Sequence, residues 1–291
     1  MPPDRPRAAR KRFGQHFLER PWVDKILRAI EPQASETFIE IGPGRGALTR
    51  ALAAAVERVV AFEIDRDLVS ELREDAPPNL EIVEGDFLDL TADRLRNALT
   101  REGGAPARVR VAGNLPYNVA SPMLFKLSAL YRDGIPLVDA TVMLQREVAD
   151  RLAALPGTRE YGVLSVLVRH GADVKRLLSL PPGAFRPAPN IHSTLVRLGF
   201  HADQPPAKDK SAFERLTQAI FTRRRKTLTN ALLAYPPSSG VEVAAVLRRA
   251  ALDGRRRPET LDIAELVRLA DAFPGTDASH SGATDGPGRS V

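Results

Sequence analysis

The sequence predicts an α/β protein: a parallel, doubly wound sheet of seven strands, mostly parallel, followed by a small all-α domain. Three observations carry this. Short β-branched runs alternate with helical runs through the first half of the 291 residues. A polar, two-proline stretch, HADQPPAKDK at 201–210, then interrupts the pattern. Beyond it the apolar spacing is helical only, and strands alternating with helices are the signature of βαβ units.

The elements follow in order. A helix over 22–30 starts beside Pro21, a residue tolerated in a first helical turn. Residues 36–41 read as a buried strand, 45–55 as a helix, RVVAFEI at 58–64 as a strand and 66–75 as a helix. LEIVE at 80–84 and VRVAG at 109–113 are strands, then come a helix over 120–131, a strand over 138–144 and a helix over 145–155. Residues 171–180 and 191–200 read as two last strands joined by the hairpin-like PPGAFRPAPN. Four helices over about 211–222, 224–234, 240–251 and 259–273 form the second domain. The expected organisation is a basic arm (1–20), an α/β domain (21–200), a linker (201–210), the helical domain (211–273) and a disordered tail (274–291), the last rich in Gly, Ser, Thr and Asp.

A hydrophobic fraction of 43% fills a core, and no apolar run approaches the ~18 residues a membrane span needs. The basic N-terminus has no apolar stretch behind it, so it is not a secretory signal, and a cytoplasmic protein is expected. With no cysteine there are no disulfides or thiolate metal sites, and no metal site is expected. The net charge of +6 is unevenly spread: residues 1–20 carry +4, residues 201–260 carry +6, and the remainder is acidic. Clustered cations favour a polyanion through counterion release. Arg10, Lys11 and Arg12 in the arm, and Arg223, Arg224, Arg225 and Lys226 in FTRRRKTLTNALL, are the candidate RNA contacts. The latter four are expected to open a helix, where cations oppose the helix dipole and so suggest another use, phosphate binding.

The first strand ends in EIGPGRGALT. Gly42 and Gly44 allow a tight turn whose backbone N–H groups face a ligand at a helix N-terminus. The next strand ends in Glu63, 21 residues after Gly42, where a carboxylate can accept both hydroxyls of a ribose. A nicotinamide dinucleotide and S-adenosylmethionine both fit that pattern. Asp86 in EGDF, placed to accept from an adenine amino group, favours the methyl donor, and Ile64 and Phe87 adjoin these two acids.

GNLPYN follows the fourth strand at the same edge of the sheet. An exocyclic adenine amino group is a poor nucleophile because its lone pair is delocalised into the ring. Two acceptors on its N–H groups draw the nitrogen towards tetrahedral geometry. Asn114 can supply an amide oxygen, and Leu115 or Pro116 a carbonyl, with Pro116 fixing the turn. Positioning does most of the work, since a sulfonium donor releases a neutral thioether. Tyr117 offers a stacking face to an unstacked base. Phe185, in a proline-stiffened loop, is expected to be the opposite wall.

KRFGQHFL, EIGPGRGALT, FEID, GDF, GNLPYN, MLQREVADRL, FRPAPNIHS, RRRKTLTNAL and ETLDIAELVRLADAF stand in the order of one family. Over about residues 10–273 the chain resembles the ribosomal RNA adenine N6-dimethyltransferases, most closely the bacterial small-subunit branch. The resemblance implies a Rossmann-like class I methyltransferase fold and S-adenosylmethionine as cofactor, bound by Leu18, Gly42, Glu63, Asp86 and Asn114. His16 stands where the family usually has Asn, and is kept as a cofactor contact. The resemblance also implies the substrate, two adjacent adenosines in a hairpin near the 3′ end of small-subunit (16S) rRNA, each dimethylated within a pre-assembled 30S particle, by a monomer. Three other readings stay open: a large-subunit (23S) rRNA methyltransferase of the macrolide-resistance type, a non-catalytic assembly factor, and a nicotinamide enzyme.

Overall fold

The computed structural model describes residues 16–101 and 104–273. The chain forms two compact units that divide after Gln204. Among the described residues no helix is long and apolar enough to cross a membrane.

In the first unit the strands are β1 (Phe17–Leu18), β2 (Thr37–Ile41), β3 (Arg58–Glu63), β4 (Leu80–Glu84), β5 (Val109–Asn114), β6 (Leu137–Gln145), β7 (Ala172–Leu180), β8 (Phe185–Arg186) and β9 (Ser193–Phe200). The helices are α1 (Arg20–Ile30), α2 (Ala47–Ala53), α3 (Arg66–Glu74), α4 (Ala92–Leu99), α5 (Ala120–Arg132), α6 (Arg146–Leu152) and α7 (Val163–Arg169). Seven strands make one sheet in the order β4-β3-β2-β5-β6-β9-β7. The first five are parallel, and β9 runs antiparallel to both β6 and β7. The expected seven-stranded, mostly parallel sheet is present.

Chain order in the sheet reverses at β2. From there β3 and β4 build outward on one side, and β5 and β6 on the other. The carboxyl ends of β2 and β5 therefore flank the crevice where such sheets bind ligands. Gly113 makes the closeness of these strands possible, because a Cβ there would lie 2.5 Å from the Ile41 carbonyl oxygen.

Both faces of the sheet are covered, so its central strands are apolar almost without alternation. Every residue of β2 and β3 is buried. Ile39, Val60 and Val111 pack with Leu95 of α4 and Leu124 and Leu127 of α5, while Phe38, Val59 and Ala61 pack with Ile26 of α1, Leu52 of α2 and Val69 of α3.

Three features of the first unit's layout depart from the sequence reading. Helix α4 was absent from it, although Thr91 caps α4 by accepting from the Arg94 N–H at 3.2 Å. Helix α7 was also absent: VLSVLVR is rich in valine, which favours strands, yet it forms a helix that buries Val166 and Val168. Residues 16–20 are not arm: they form β1, which pairs with β8, and the start of α1. Residues 1–15, with Arg10, Lys11 and Arg12, and the expected tail at 274–291 lie outside the described residues.

The second unit holds α8 (Lys210–Phe221), α9 (Leu228–Leu232), α10 (Val243–Ala250) and α11 (Ile263–Asp271). Asp209 caps α8 through the Ala212 N–H, and Asp262 and Glu265 form a capping box on α11. Arg223–Lys226 do not open a helix. They form the turn after α8, and α9 begins only at Leu228. The dipole conflict expected of them therefore does not arise: cations just beyond a helix C-terminus are favourably placed. Arg223, Arg225 and Lys226 are exposed, and Arg224 pairs with Glu259 at 3.5 Å.

Candidate active site

The glycine turn after β2 is held from beneath. Gly42 donates to the Phe62 carbonyl at 2.9 Å, and Gly44 donates to Glu63 Oε2 at 3.0 Å. Gly44 has φ +59°, and a Cβ there would come within 3.1 Å of the Phe17 ring, so both backbone and space require glycine. The other oxygen of Glu63 accepts from the Ile64 and Asp65 N–H groups at 2.9 and 3.0 Å. Burial raises the Glu63 pKa above the ordinary carboxylate value, and these three N–H groups oppose the shift. The Asp86 carboxylate accepts from the Leu88 N–H at 2.9 Å, which caps the short turn of Phe87–Asp89.

These groups line a cleft of about 210 Å³. Gly42, Gly44, Glu63, Ile64, Asp86 and Phe87 stand on one part of its wall, and Asn114, Leu115, Pro116 and Tyr117 on another, with His16. Ile64 is 46% exposed, an apolar wall at the edge, and Phe87 is fixed edge-on against Phe62 with centroids 5.6 Å apart. A second cavity shares His16, Phe17, Gly42, Gly44 and Asn114 with the first and adds Leu18, Glu40 and Arg45. Leu18 thus faces the adjoining cavity rather than the main cleft.

The Asn114 amide has a fixed orientation. Its Nδ2 donates to the His16 carbonyl at 2.9 Å, so its oxygen is the group presented as acceptor. Of the two candidate carbonyls, Pro116 already accepts from the Val119 N–H at 3.1 Å, which favours Leu115. The Tyr117 hydroxyl hydrogen-bonds Ser193 Oγ at 3.1 Å, and its ring stacks on His16 with centroids 5.5 Å apart. Burial raises the Tyr117 pKa, partly offset by Ser193.

Phe185 is not the opposite wall. It is 3% exposed, its backbone pairs with Leu18, and it packs with Leu180, Ala184 and Leu195 in the core. The proline-rich loop that was expected to present it instead turns it inward. His192 is exposed and lies in the turn before β9, where its carbonyl accepts from the Arg146 N–H at 3.0 Å.

Two participants were missed. Ser193, in NIHS, was legible as a motif residue but not as the partner of Tyr117. Glu40, in EIGPG, was assigned no role. It is 2% exposed, Oε2 has no partner, and its pKa is pushed up to about 8. Burial is the main cause, opposed by the Thr49 hydroxyl and reinforced by the Glu63 charge. Among the described residues no group of three His, Cys, Asp or Glu is placed to hold a metal ion.

A seven-stranded, mostly parallel sheet with an acid-lined glycine turn at its switch point defines a Rossmann-like class I methyltransferase. Residues 7–269 match the family described as ribosomal RNA adenine dimethylase, and the chain belongs to that family of enzymes. It is 42% identical over 278 residues to the ribosomal RNA small subunit methyltransferase A of Pseudomonas fluorescens, covering 92% of this chain and 97% of the relative. Among solved structures, it is similar to a dimethyladenosine transferase from Plasmodium falciparum (TM-score 0.70, 24% identity, 87% of this chain and 96% of that one). It is also similar to the 23S rRNA methyltransferase ErmE (TM-score 0.60, 25% identity, 88% and 99%).

Proposed function

We propose that this protein dimethylates the N6 amino groups of two adjacent adenosines in a hairpin near the 3′ end of small-subunit rRNA, using S-adenosylmethionine. The observation that carries the reading is the Asn114 amide, oriented by the His16 carbonyl at the carboxyl end of β5 and sharing one cleft with Glu63 and Asp86. The cofactor supplies an electrophilic methyl group on a sulfonium. The residues present fit it: a glycine turn that leaves no room for a Cβ at Gly44, and a buried Glu40 carboxyl whose unpartnered oxygen is left for a ligand group to satisfy. Glu63 takes the ribose hydroxyls, Asp86 accepts from the adenine amino group, and Ile64 and Phe87 border the ring.

On the substrate side, the Asn114 oxygen and the Leu115 carbonyl accept from the two N–H groups of the target amine. That localises the nitrogen lone pair towards the methyl group. Tyr117 stacks on the base. No strong base is needed before transfer, because the neutral nitrogen attacks through its lone pair, the thioether leaves, and the strongly acidic cation so formed then releases its proton to water. A second round at the same nitrogen has one N–H left to hold, so the two acceptors need not both be engaged then.

Arg223, Arg225 and Lys226 bind RNA phosphates in this reading, joined by Arg224 and by Arg10, Lys11 and Arg12 of the N-terminal segment. The partner is the rRNA within a pre-assembled small subunit, the protein acts as a monomer, and the setting is the cytoplasm.

The test is incubation with unmethylated 30S particles and labelled S-adenosylmethionine, followed by mapping of the modified bases. Two adjacent dimethyladenosines near the 3′ end of 16S rRNA support the reading. Label in 23S rRNA alone, or particle binding without methyl transfer, overturns it. Filter binding against ionic strength tests the cations. Replacing Arg223, Arg225 and Lys226 by Ala reduces the slope of log K on log salt by about 2–3 if all three neutralise phosphates. An unchanged slope removes them from the interface.

A further inference from the structure

We infer that His16 is a positioning residue of the target-base site, orienting both the amine acceptor and the stacking platform; the inference rests on the reading above. Its backbone carbonyl accepts the Asn114 amide N–H at 2.9 Å. Its imidazole lies against the Tyr117 ring, 5.5 Å between centroids and 28° between planes. The same imidazole hydrogen-bonds the Pro187 carbonyl through Nδ1 at 2.7 Å. One residue therefore touches the two side chains that the chemistry needs to be held together, and is itself held.

The alternative is that the ring merely fills the space of a base and moves aside on binding. The ties argue against that. His16 directly precedes β1, whose Phe17 and Leu18 pair with Arg186 and Phe185. Pro187, the partner of the imidazole, directly follows β8. Backbone and ring are thus fastened to the same two-stranded ribbon from two sides. Tyr117 is fastened too, by its hydroxyl to Ser193. Two rings pinned at their far ends and stacked on each other form a fixed assembly, so His16 buttresses Tyr117 and the base takes the ring's other face. A preorganised platform spares the ordering cost when the base arrives.

This places the imidazole on the substrate side, whereas the resemblance implies a cofactor contact at this position. The two roles separate experimentally. His16→Ala removes the ring but keeps the backbone carbonyl. His16→Phe keeps a stacking ring without the bond to Pro187. His16→Asn keeps a donor without a stacking ring. The measurements are calorimetric affinity for S-adenosylmethionine, and kcat and KM for unmethylated 30S particles, with melting temperature as the control for folding.

For His16→Ala the expected result is a fall in kcat/KM for the particle of about 5–150-fold, the range of one aromatic stack, with cofactor affinity within about threefold of wild type. His16→Phe recovers most of the loss and His16→Asn does not. Because His16 acts through Tyr117, adding His16→Ala to Tyr117→Ala causes little further loss. Cofactor affinity that falls in step with turnover, with rescue by Asn, overturns the inference in favour of a cofactor contact. Additive losses in the double variant overturn it as well. Both outcomes are read against a wild type that methylates 16S rRNA; a wild type that does not overturns the functional reading itself.

Discussion

The two ends of the parallel strands treat charge in opposite ways. At the amino ends, buried charges are paired. Arg110 of β5 forms a two-bond fork with Asp139 of β6 at 3.0 and 2.9 Å and reaches Glu36 at 3.0 Å and the Ile30 carbonyl at 2.8 Å. Burial opposes its charge, but Asp139 and Glu36 outweigh that and raise its pKa. Arg58 of β3 binds Glu81 and the carbonyls of Ala98 and Leu99 that end α4. Arg197 closes the last turn of α1 through the Ala29 and Ile30 carbonyls. At the carboxyl ends, the buried acids Glu40 and Glu63 gain no cationic partner among the described residues that lowers their pKa, and both are raised. One end is built to be complete without a ligand. The other leaves polar groups that a ligand can satisfy, and bears the cost in stability.

The largest effect expected tests that cost. Glu40 keeps its proton in the folded protein to about pH 8, against an ordinary value of 4.5. The folded state therefore binds more protons than the unfolded state between those values, and stability falls as pH rises through that window. The slope is at most about 1.4 kcal/mol per pH unit for this one group. Glu40→Gln, which cannot ionise, removes that slope. Denaturant unfolding at pH 5 and pH 8 should show the variant gaining on wild type at the higher pH. Parallel pH profiles would mean that Glu40 ionises normally and the contrast between the two ends is lost.

Next in size is the paired end. Arg110→Ala leaves the buried Asp139 with only the longer contact to Arg197 at 3.8 Å, which costs up to about 3–5 kcal/mol. The melting temperature should drop by roughly 10 °C. The fraction that remains folded should bind cofactor as wild type does, because the break lies at the end of the sheet away from the cleft.

Asn114→Ala has the converse profile. Losing one oriented acceptor should lower the rate of methyl transfer by about 10²–10³-fold, by analogy with removal of one oriented hydrogen-bonding group from other active sites. Particle binding and melting temperature should stay near wild type. Methylation at the wild-type rate would break the acceptor mechanism.

The same division explains what the sequence could tell. The parallel strands were readable because burial on both faces makes them continuous apolar runs, and the placing of Glu63 and Asn114 at strand ends follows from where such runs stop. Pairings made over long separations were not. Phe17 and Leu18 look like part of a basic arm until they meet Arg186 and Phe185, nearly 170 residues away. The same pairing turns Phe185 into the core, against the expectation that a proline-stiffened aromatic would face the cleft. Arg223–Lys226 were placed on a helix because their neighbours have helical spacing, yet α8 stops at Phe221 and Leu228 starts the next helix. Charge pairs such as Arg110–Asp139 join strands 29 residues apart and leave no local trace.

The smallest effect distinguishes packing from polarity at Tyr117. The ring is half-buried against His16, and its hydroxyl meets Ser193 at 3.1 Å. If stacking is what matters, Tyr117→Ala should cost about 1–3 kcal/mol in kcat/KM for the particle, the worth of one base–aromatic stack. Tyr117→Phe keeps the face and loses only the hydroxyl. Its cost should be that of one neutral hydrogen bond, about 0.5–1.5 kcal/mol, and should appear in melting temperature rather than in kcat. Neither variant should change the pH dependence of the rate through the neutral range, because the phenol, raised above its ordinary value by burial, stays protonated there. A Phe variant as slow as the Ala variant would mean that the Ser193 bond, not the ring, sets the geometry of the base site, and Tyr117 would then belong with the paired charges as a fixture of the fold.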